Sequence, residues 1–415
     1  MNTNKLKIFN DPIYGFIQIS DESIYDIIEH PYFQRLRRIN QLGLTYMVYP
    51  GAIHTRFQHS MGAMNLMKST LLSLKDKGIN ISTEEVLAAQ QAILLHDIGH
   101  GPFSHTLERH LLYRTSHEKV GSLLLEAINK DLGGILDTAI AINKNSYHKK
   151  FLHQLVSSQL DMDRLDYLKR DSYFTGVSEG VIGTDRLIKM LNVIDDQLVV
   201  EAKGIYSVEK FLVARRIMYW QVYLHKTVLS AEQLLIEIIK RARVLSKTDS
   251  RISSSPELIL FLRNKIDAEQ LIEKDLLSKF ASIDDFDIMF AIKEWSKHKD
   301  KTLSLLCKNI LERHIPKVII QKEKFDQNAI QKLKKKVAKT YEISIDEAAH
   351  FVYSGIASNR AYNQKADKIF IQEKNRTLVD ITTASDNFNI RSLSAPVSKF
   401  YLCYPKEFHI GDTKI

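Results

Sequence analysis

Three segments of the sequence set histidine and aspartate in an order that could hold a cation. They are His54-Thr55-Arg56-Phe57-Gln58-His59-Ser60, His96-Asp97-Ile98-Gly99-His100-Gly101-Pro102-Phe103-Ser104-His105, and Asp161-Met162-Asp163-Arg164-Leu165-Asp166-Tyr167-Leu168-Lys169-Arg170-Asp171. In the second, Ala92, Ile93, Leu94 and Leu95 read as a buried helix, yet the run ends in adjacent His96 and Asp97. Burying a lone carboxylate costs several kcal/mol unless a partner or a metal compensates it. Gly99, Gly101 and Pro102 then break the helix and gather His96, Asp97, His100 and His105 around a turn, with His96 and His100 on one face if the last helical turn persists. One buried histidine is ordinarily a satisfied core residue, but His59, His96, His100 and His105 with an aspartate beside one of them point to ligation. Imidazoles and carboxylates together suit manganese, iron, zinc, nickel or magnesium, and geometry rather than ligand type chooses among them. The lack of nearby thiolates argues against a closed structural zinc site.

A second constellation is Arg215, Tyr219 and Tyr223 at i, i+4 and i+8, with Lys226 close to the stripe. Aromatic stripes usually pack a core, but an arginine at one end requires an anion or water.

The elements that must position these groups are mostly helical. A small hairpin is expected first, with Leu6, Ile8, Ile17 and Ile19 alternating about a turn at Asn10-Asp11-Pro12 and Gly15. Helical patterning then runs from Ser20 to Leu245: Met64, Met67, Leu71 and Leu74 recur at spacings of three and four before Gly78, and Ser82-Thr83-Glu84-Glu85 is a capping box opening the helix that leads to His96. Neither Gly nor Pro interrupts Ser207 to Leu245, which predicts one or two long helices. Residues 250–315 read as a charged helical segment. After Pro316 the pattern becomes mixed: a strand at Val318-Ile319-Ile320, a helix over Asn328–Lys339, and strands near Ile369/Ile371, Leu378–Ile381 and Phe400–Cys403, with Asn375 in a turn. The expectation is a mainly α fold: residues 1–246 forming the hairpin and helical core, 247–315 a helical extension, and 316–415 a smaller α+β domain with an antiparallel sheet. Lys332, Lys334, Lys335 and Lys336 read as a solvated helix face.

Composition narrows the class. Hydrophobic residues make up 44% and charged residues 26%, as in a globular protein, and no apolar run is long enough for a membrane span. The opening MNTNKLKIFNDP does not read as a secretory signal, and Cys307 and Cys403 fit a reducing interior, so a cytoplasmic protein is expected. A net charge of +9 favours anionic partners, with phosphate esters and nucleic acid both open.

The ordered pattern H…HD…D, in the contexts RFQHS, LLHDIGHGPFSH and DMDRLDYLKRD, resembles the HD phosphohydrolase superfamily. Its flanking residues, NDPIYG, FQRLRRINQLG and YPGAIHTRFQHS among them, are similar to the dNTP triphosphohydrolase branch that includes the sterile-alpha-motif-and-HD-domain enzyme. The likeness runs from about Phe9 to Lys226 and fades beyond it.

The resemblance implies an HD-domain helical core and one divalent metal per subunit (manganese, iron, magnesium, zinc, nickel or cobalt) on His59, His96, Asp97 and Asp163. It implies phosphate contacts from Arg56 and Arg164, catalytic roles for His100, His105, His117 and Asp171, and substrate contacts from Tyr167, Arg215 and Tyr223. Gln41 and Leu42 match positions at the sugar edge on the resemblance alone. The implied reaction converts a dNTP, with dGTP the expected preference, to a deoxynucleoside and triphosphate. A homodimer or homotetramer is implied as well. Relatives that bind activating nucleotides match at Gln34, Arg37, Arg186 and Lys203, but Glu29, Met190 and Glu201 depart from their pattern, so an identical activation scheme is not expected. Two other readings stay open: another HD phosphoesterase, either a nucleotidase or a phosphodiesterase, and a non-catalytic nucleotide- or nucleic-acid-binding protein with a structural metal.

Overall fold

The computed structural model describes residues 7–273, 275–364, 367–387, 390 and 392–408. Strands β1 (Lys7–Asp11) and β2 (Gly15–Ile19) form the expected antiparallel hairpin, Gly15 taking the positive φ of 72° that its turn demands. Leu6, assigned to that hairpin from sequence, lies outside the described residues. Helices α1 (Glu22–Glu29) and α2 (Pro31–Gln34) lead into α3 (Arg56–Asp76), which stops before Gly78. The capping box at Ser82 and Glu85 opens α4 (Thr83–Leu94). There follow α5 (Ser104–Leu111), α6 (His117–Asp131), α7 (Asp137–Asn143), α8 (Lys150–Val156), α9 (Met162–Thr175) and α10 (Thr184–Met190).

The helical reading of Ser20 to Leu245 fails at one place. Strands β3 (Leu191–Ile194) and β4 (Gln197–Glu201) form a hairpin around Asp195-Asp196, both with positive φ, 48° and 62°. A two-residue loop with both residues left-handed matches the right-handed twist of the strands it joins, and aspartate tolerates that conformation better than most residues.

The next stretch resolves into α11 (Ile205–Met218), a π-helical turn over Tyr219–Tyr223, and α12 (Lys226–Leu245), begun by His225. The extension holds α13 (Pro256–Arg263), α14 (Leu276–Ser282), α15 (Asp285–Trp295) and α16 (Lys301–Leu311). The final segment holds β5 (Lys317–Gln321), α17 (Gln327–Tyr341), α18 (Ile345–Ala348), β6 (Tyr353–Asn359), β7 (Phe370–Gln372), β8 (Leu378–Asp380), α19 (Ile381–Ala384) and β9 (Val397–Tyr404). The fold is therefore mainly helical, with a short N-terminal hairpin and a C-terminal portion of sheets and helices. Sequence reading missed β6. It pairs antiparallel with β9, which also pairs with β5.

The C-terminal strands do not all stay together. β7 pairs in parallel with β4 and antiparallel with β8, so one four-stranded sheet in the order β3-β4-β7-β8 joins residues far apart in sequence. Side chains bury into two main cores. One gathers the hairpin, α1, α3, α4, α6, α8, α9 and α11, and the other gathers α5, α12, α13, α15, α16 and α17. Residues of both cores line one cavity of about 810 Å³: Leu95, Leu125 and Val156 from the first, Phe103 from the second.

Candidate active site

The start of α3, the turn after α4 and the start of α9 converge on the floor of this cavity. His59 Nε2 lies 3.1 Å from Asp163 Oδ1 and 3.3 Å from His96 Nε2, and His96 Nε2 lies 3.5 Å from Asp163 Oδ1. Asp97 stands beside the group, with Oδ2 3.7 Å from His59 Nε2 and Oδ1 3.4 Å from His96 Nε2. Donor atoms about 2.1 Å from a shared cation sit roughly 3.0 to 3.4 Å from one another, so the separations among His59, His96 and Asp163 are close to those of one coordination shell.

The far side of each imidazole supports the same assignment. His59 Nδ1 is 2.7 Å from Asp166 Oδ2 and His96 Nδ1 is 2.6 Å from the Ile93 carbonyl, contacts that place the ring proton on Nδ1 and turn the Nε2 lone pair to the centre. Burial alone would lower the His59 pKa, but Asp163 and Asp166 outweigh it and push it up to about 10. The cluster thus draws positive charge strongly, as a cation site must. His59, His96 and Asp163 could hold a metal ion, with Asp97 beside them.

Close packing makes this geometry attainable. Asp166 is shared between His59 and a buried Arg170, which donates to Asp166 at 2.9 and 3.0 Å and to Asp11 of the hairpin at 2.8 Å. A Cβ on Gly62 of α3 would fall 2.1 Å from both Asp166 Oδ1 and Arg170 Nη2, so only glycine fits there. Gly99 plays the same part in the turn, where a Cβ would lie 2.0 Å from the His117 carbonyl oxygen. The α4 helix ends at Leu94, so His96 and His100 do not share a helical face as the spacing allowed; they sit in a turn instead. Buried Arg35 holds that turn by donating to the carbonyls of Ile98 and His100 at 3.0 and 2.7 Å.

A second histidine group borders the first. The rings of His100 and His117 stack at 3.9 Å, and His105 meets each of them edge-on. His100 Nε2 is 3.4 Å from Asp97 Oδ1; burial and the Arg56 guanidinium hold this imidazole well below its usual range, so it is neutral. Glu108, which sequence reading missed, organises the other two. Its Oε1 accepts the backbone N–H of His117 at 2.9 Å and lies 3.2 Å from His117 Nδ1, and its Oε2 lies 3.5 Å from His105 Nδ1. The His105 ring and the His117 N–H draw the Glu108 carboxyl down to about 2, against partial burial. The i, i+3 spacing of His105 and Glu108 on one helix was the available signal.

Three arginines line the same cavity. Arg56 bonds Ser104 Oγ at 2.7 Å and Asp97. Arg164 reaches Asp161 at 3.1 Å, and Arg215 reaches Gln159 Oε1 at 3.2 Å. Among the described residues, the buried Nε atoms of Arg164 and Arg215 have no acceptor and no carboxylate pairs with Arg215.

Away from the metal cluster, Asp171 is fixed on both oxygens, by His54 Nε2 at 2.7 Å and by the Tyr223 hydroxyl at 2.7 Å. Tyr167, Gln41 and Leu42 line the wall beside it. The π-helical turn brings Tyr223 to this wall with Tyr219 packed edge-on at 5.1 Å; Lys226 is exposed and does not line the cavity. The four remaining candidates stand outside the cavity in two pairs. Arg37 donates to Gln34 Oε1 at 2.9 Å, and Arg186 donates to the Lys203 carbonyl at 3.1 Å. Glu201, the acidic departure noted in the sequence, is neutralised between Lys77 at 2.5 Å and Lys203 at 2.8 Å.

One residue from the extension also reaches the site. Asp285, at the start of α15, accepts the backbone N–H of Asn40 at 2.8 Å and that of Phe103 at 2.7 Å. It thereby ties the loop carrying Gln41 and Leu42 to the turn carrying His100 and Ser104. Phe103 and Ser104 both adopt positive φ, 49° and 43°, a strained pair for non-glycine residues that needs such a tether.

Comparison with known proteins agrees with this arrangement. The HD domain family matches residues 56–171, and the HD associated region matches residues 182–277. The uncharacterized protein YwfO of Bacillus subtilis is 32% identical over 317 residues, covering 74% of this chain and 71% of that protein. A deoxynucleoside triphosphate triphosphohydrolase SAMHD1 homologue from Dictyostelium discoideum is 32% identical over 272 residues, 61% of this chain; the chain spans about half, 52%, of that relative's length. The crystal structure of a phosphohydrolase from Bacteroides thetaiotaomicron superposes with a TM-score of 0.93 at 49% identity, over 97% of this chain and all of that one. With its His/Asp cluster, its helical core and these relatives, the chain belongs to the HD-superfamily phosphohydrolases.

Proposed function

We propose that this phosphohydrolase is a dNTP triphosphohydrolase, cleaving a deoxynucleoside triphosphate to a deoxynucleoside and intact triphosphate. The observation that carries the reading is one cavity holding a metal-type cluster together with three arginines, two of them with buried Nε–H groups that lack acceptors. Monophosphate chemistry does not need that much positive charge. SAMHD1 relatives at about this level of identity support the same substrate class.

In this reading Arg56, Arg164 and Arg215 bind phosphate oxygens, the planar guanidinium being suited to paired contacts. Asp171, held by His54 and Tyr223, orients the sugar with Gln41 and Leu42, while Tyr167 closes the wall beside it. His59, His96 and Asp163, with Asp97 beside them, would hold a divalent cation, which would supply Lewis acidity and lower the pKa of water at the site. Water oxygen bonds to the α-phosphorus and releases a proton, the bond from that phosphorus to O5′ breaks, O5′ leaves as the deoxynucleoside hydroxyl after taking a proton, and the proton released by water restores the donor over the cycle. His117, set by Glu108 and facing the cavity, donates that proton, and His105 shares the same carboxylate. Neutral His100 fixes Asp97 and the stack of rings rather than supplying the proton. Assembly as a homodimer or homotetramer is part of the proposal, with Gln34, Arg37, Arg186 and Lys203 as contacts for an activating nucleotide.

Phosphorus NMR of products formed from a dNTP with manganese present tests the reaction. Intact triphosphate is expected. Release of orthophosphate or pyrophosphate, or turnover of monophosphates or cyclic nucleotides alone, would replace this reading with that of another HD phosphoesterase. Arg215→Ala offers a second test. Because the side chain has only Gln159 as a hydrogen-bond partner among the described residues, its loss is expected to lower kcat/KM by roughly tenfold to a hundredfold. Tm should stay nearly constant. A large drop in Tm with unchanged activity per folded molecule would make Arg215 structural.

A further inference from the structure

A second group of nitrogen and oxygen donors borders the metal cluster, and its geometry repeats that of the first. At the cluster the His59 and His96 rings meet edge-on, 5.2 Å apart at 75°, and Asp163 Oδ1 lies 3.1 and 3.5 Å from their Nε2 atoms. The His105 and His117 rings also meet edge-on, 5.2 Å apart at 81°. Glu108 stands to them as Asp163 stands to the first pair: Oε1 is 3.2 Å from His117 Nδ1 and Oε2 is 3.5 Å from His105 Nδ1. His100 borders the pair, and the ring nitrogens that the three histidines offer lie within 4.8 Å of one another. It lies nearly parallel to His117, at 3.9 Å and 15°, so their lone pairs run side by side and one ion cannot face both. His100 therefore braces the His117 ring.

Contacts inside the protein leave the group unsatisfied. His117 Nδ1 is buried and, although Glu108 is close, has no hydrogen bond among the described residues. Such a group costs free energy that a ligand can return. Among the described residues no lysine or arginine pairs with Glu108; its ion-pair partners are these two imidazoles, which carry no permanent charge near neutral pH. The His105 side chain is 71% exposed and His117 opens onto the cavity, so an ion can enter without unfolding.

We propose that His105, His117 and Glu108 bind a second metal ion, zinc, which switches the enzyme off. Two imidazoles and a carboxylate, with water in the fourth position, are a donor set that suits tetrahedral zinc. Zinc binds such donors more tightly than manganese does, so manganese at catalytic levels fills the first cluster alone. The ion takes one lone pair from each ring, and any proton on those nitrogens passes to water. An imidazole acts as an acid when both its nitrogens carry protons; with zinc on one of them, His117 is a neutral ring and a far weaker acid. The loss of turnover rests on the proton-donor role given to His117 above, whereas the site itself does not.

Counting zinc tests the site. Chelator-stripped wild-type protein, incubated with excess zinc and desalted, is expected to hold two ions per chain by elemental analysis. Asp163→Asn should retain one, and Asp163→Asn combined with His105→Ala none. Cobalt added to Asp163→Asn should give visible d–d absorption that the double variant lacks. Zinc added to manganese-loaded wild type should cut turnover by about a hundredfold while one manganese per chain stays in place. A single zinc per chain in the wild type overturns the proposal, as does a cobalt spectrum of Asp163→Asn that His105→Ala leaves unchanged. The wild-type count needs no variant and stands even if one misfolds. Two ions bound with turnover unaffected would keep the site but overturn the switch, and with it the donor role of His117.

Discussion

Asp163→Asn should strip the protein of its metal and cut turnover by on the order of a thousandfold or more, with the fold retained. The asparagine fills the same space near the start of α9, beside Asp161, whose oxygens accept the N–H groups of Ser158 and Arg164 at 2.7 Å and hold the helix start independently. What is lost is the anionic oxygen 3.1 Å from His59 and 3.5 Å from His96. A bound metal stabilises the folded state by mass action, so wild-type Tm should rise with added manganese and fall with chelator. The variant should melt at one temperature in both conditions. Asp166→Asn makes the informative contrast: it unsettles His59 from behind and leaves buried Arg170 with Asp11 alone, so it should lose both metal and stability. Elemental analysis showing full metal occupancy in Asp163→Asn, with activity intact, would remove Asp163 from the ligand set.

Glu108→Gln is expected to lower kcat by about a hundredfold to ten-thousandfold with metal content and KM little changed. Its carboxylate holds His117 through backbone and ring together and braces His105, whose side chain is otherwise 71% exposed. The sign of the pH dependence follows from the depressed pKa of about 2. Glu108 stays ionised across the working range, and its contribution to stability is fully present above the unfolded-state value near 4.3. That contribution is lost only as pH falls through about 2. The acid limb of the wild-type rate profile should therefore not report Glu108, and Glu108→Gln should depress the plateau without moving that limb. A variant with normal kcat would leave His117 positioned by other means.

Much of the site was legible because its chemistry is written in short intervals. His59, His96, Asp97 and Asp163 stand out by type and order, and the buried helix ending in His-Asp demanded compensation for its charge. The partners behind them are harder to read. Asp166 was visible in its segment but nothing local says that it serves His59, and His54 meets Asp171 across 117 positions. The hairpin at 191–201 was hidden because Leu, Val and Ile serve helices and strands alike. Its one signal was Asp195-Asp196 between two apolar runs. The π-helical turn left the i, i+4, i+8 spacing of Arg215, Tyr219 and Tyr223 intact in sequence while changing the path of the backbone.

Asp285 bears on how the catalytic apparatus can be divided. All four metal-ligand candidates lie within the first 163 residues, and both family segments end by residue 277. The carboxylate bracing Asn40 and Phe103 comes from beyond either of them. A fragment ending at 246 would keep every proposed ligand yet free two loops that must hold substrate and strain together. The helices beyond the family segments thus take part in shaping the site, since their Asp285 fixes the two loops that border it.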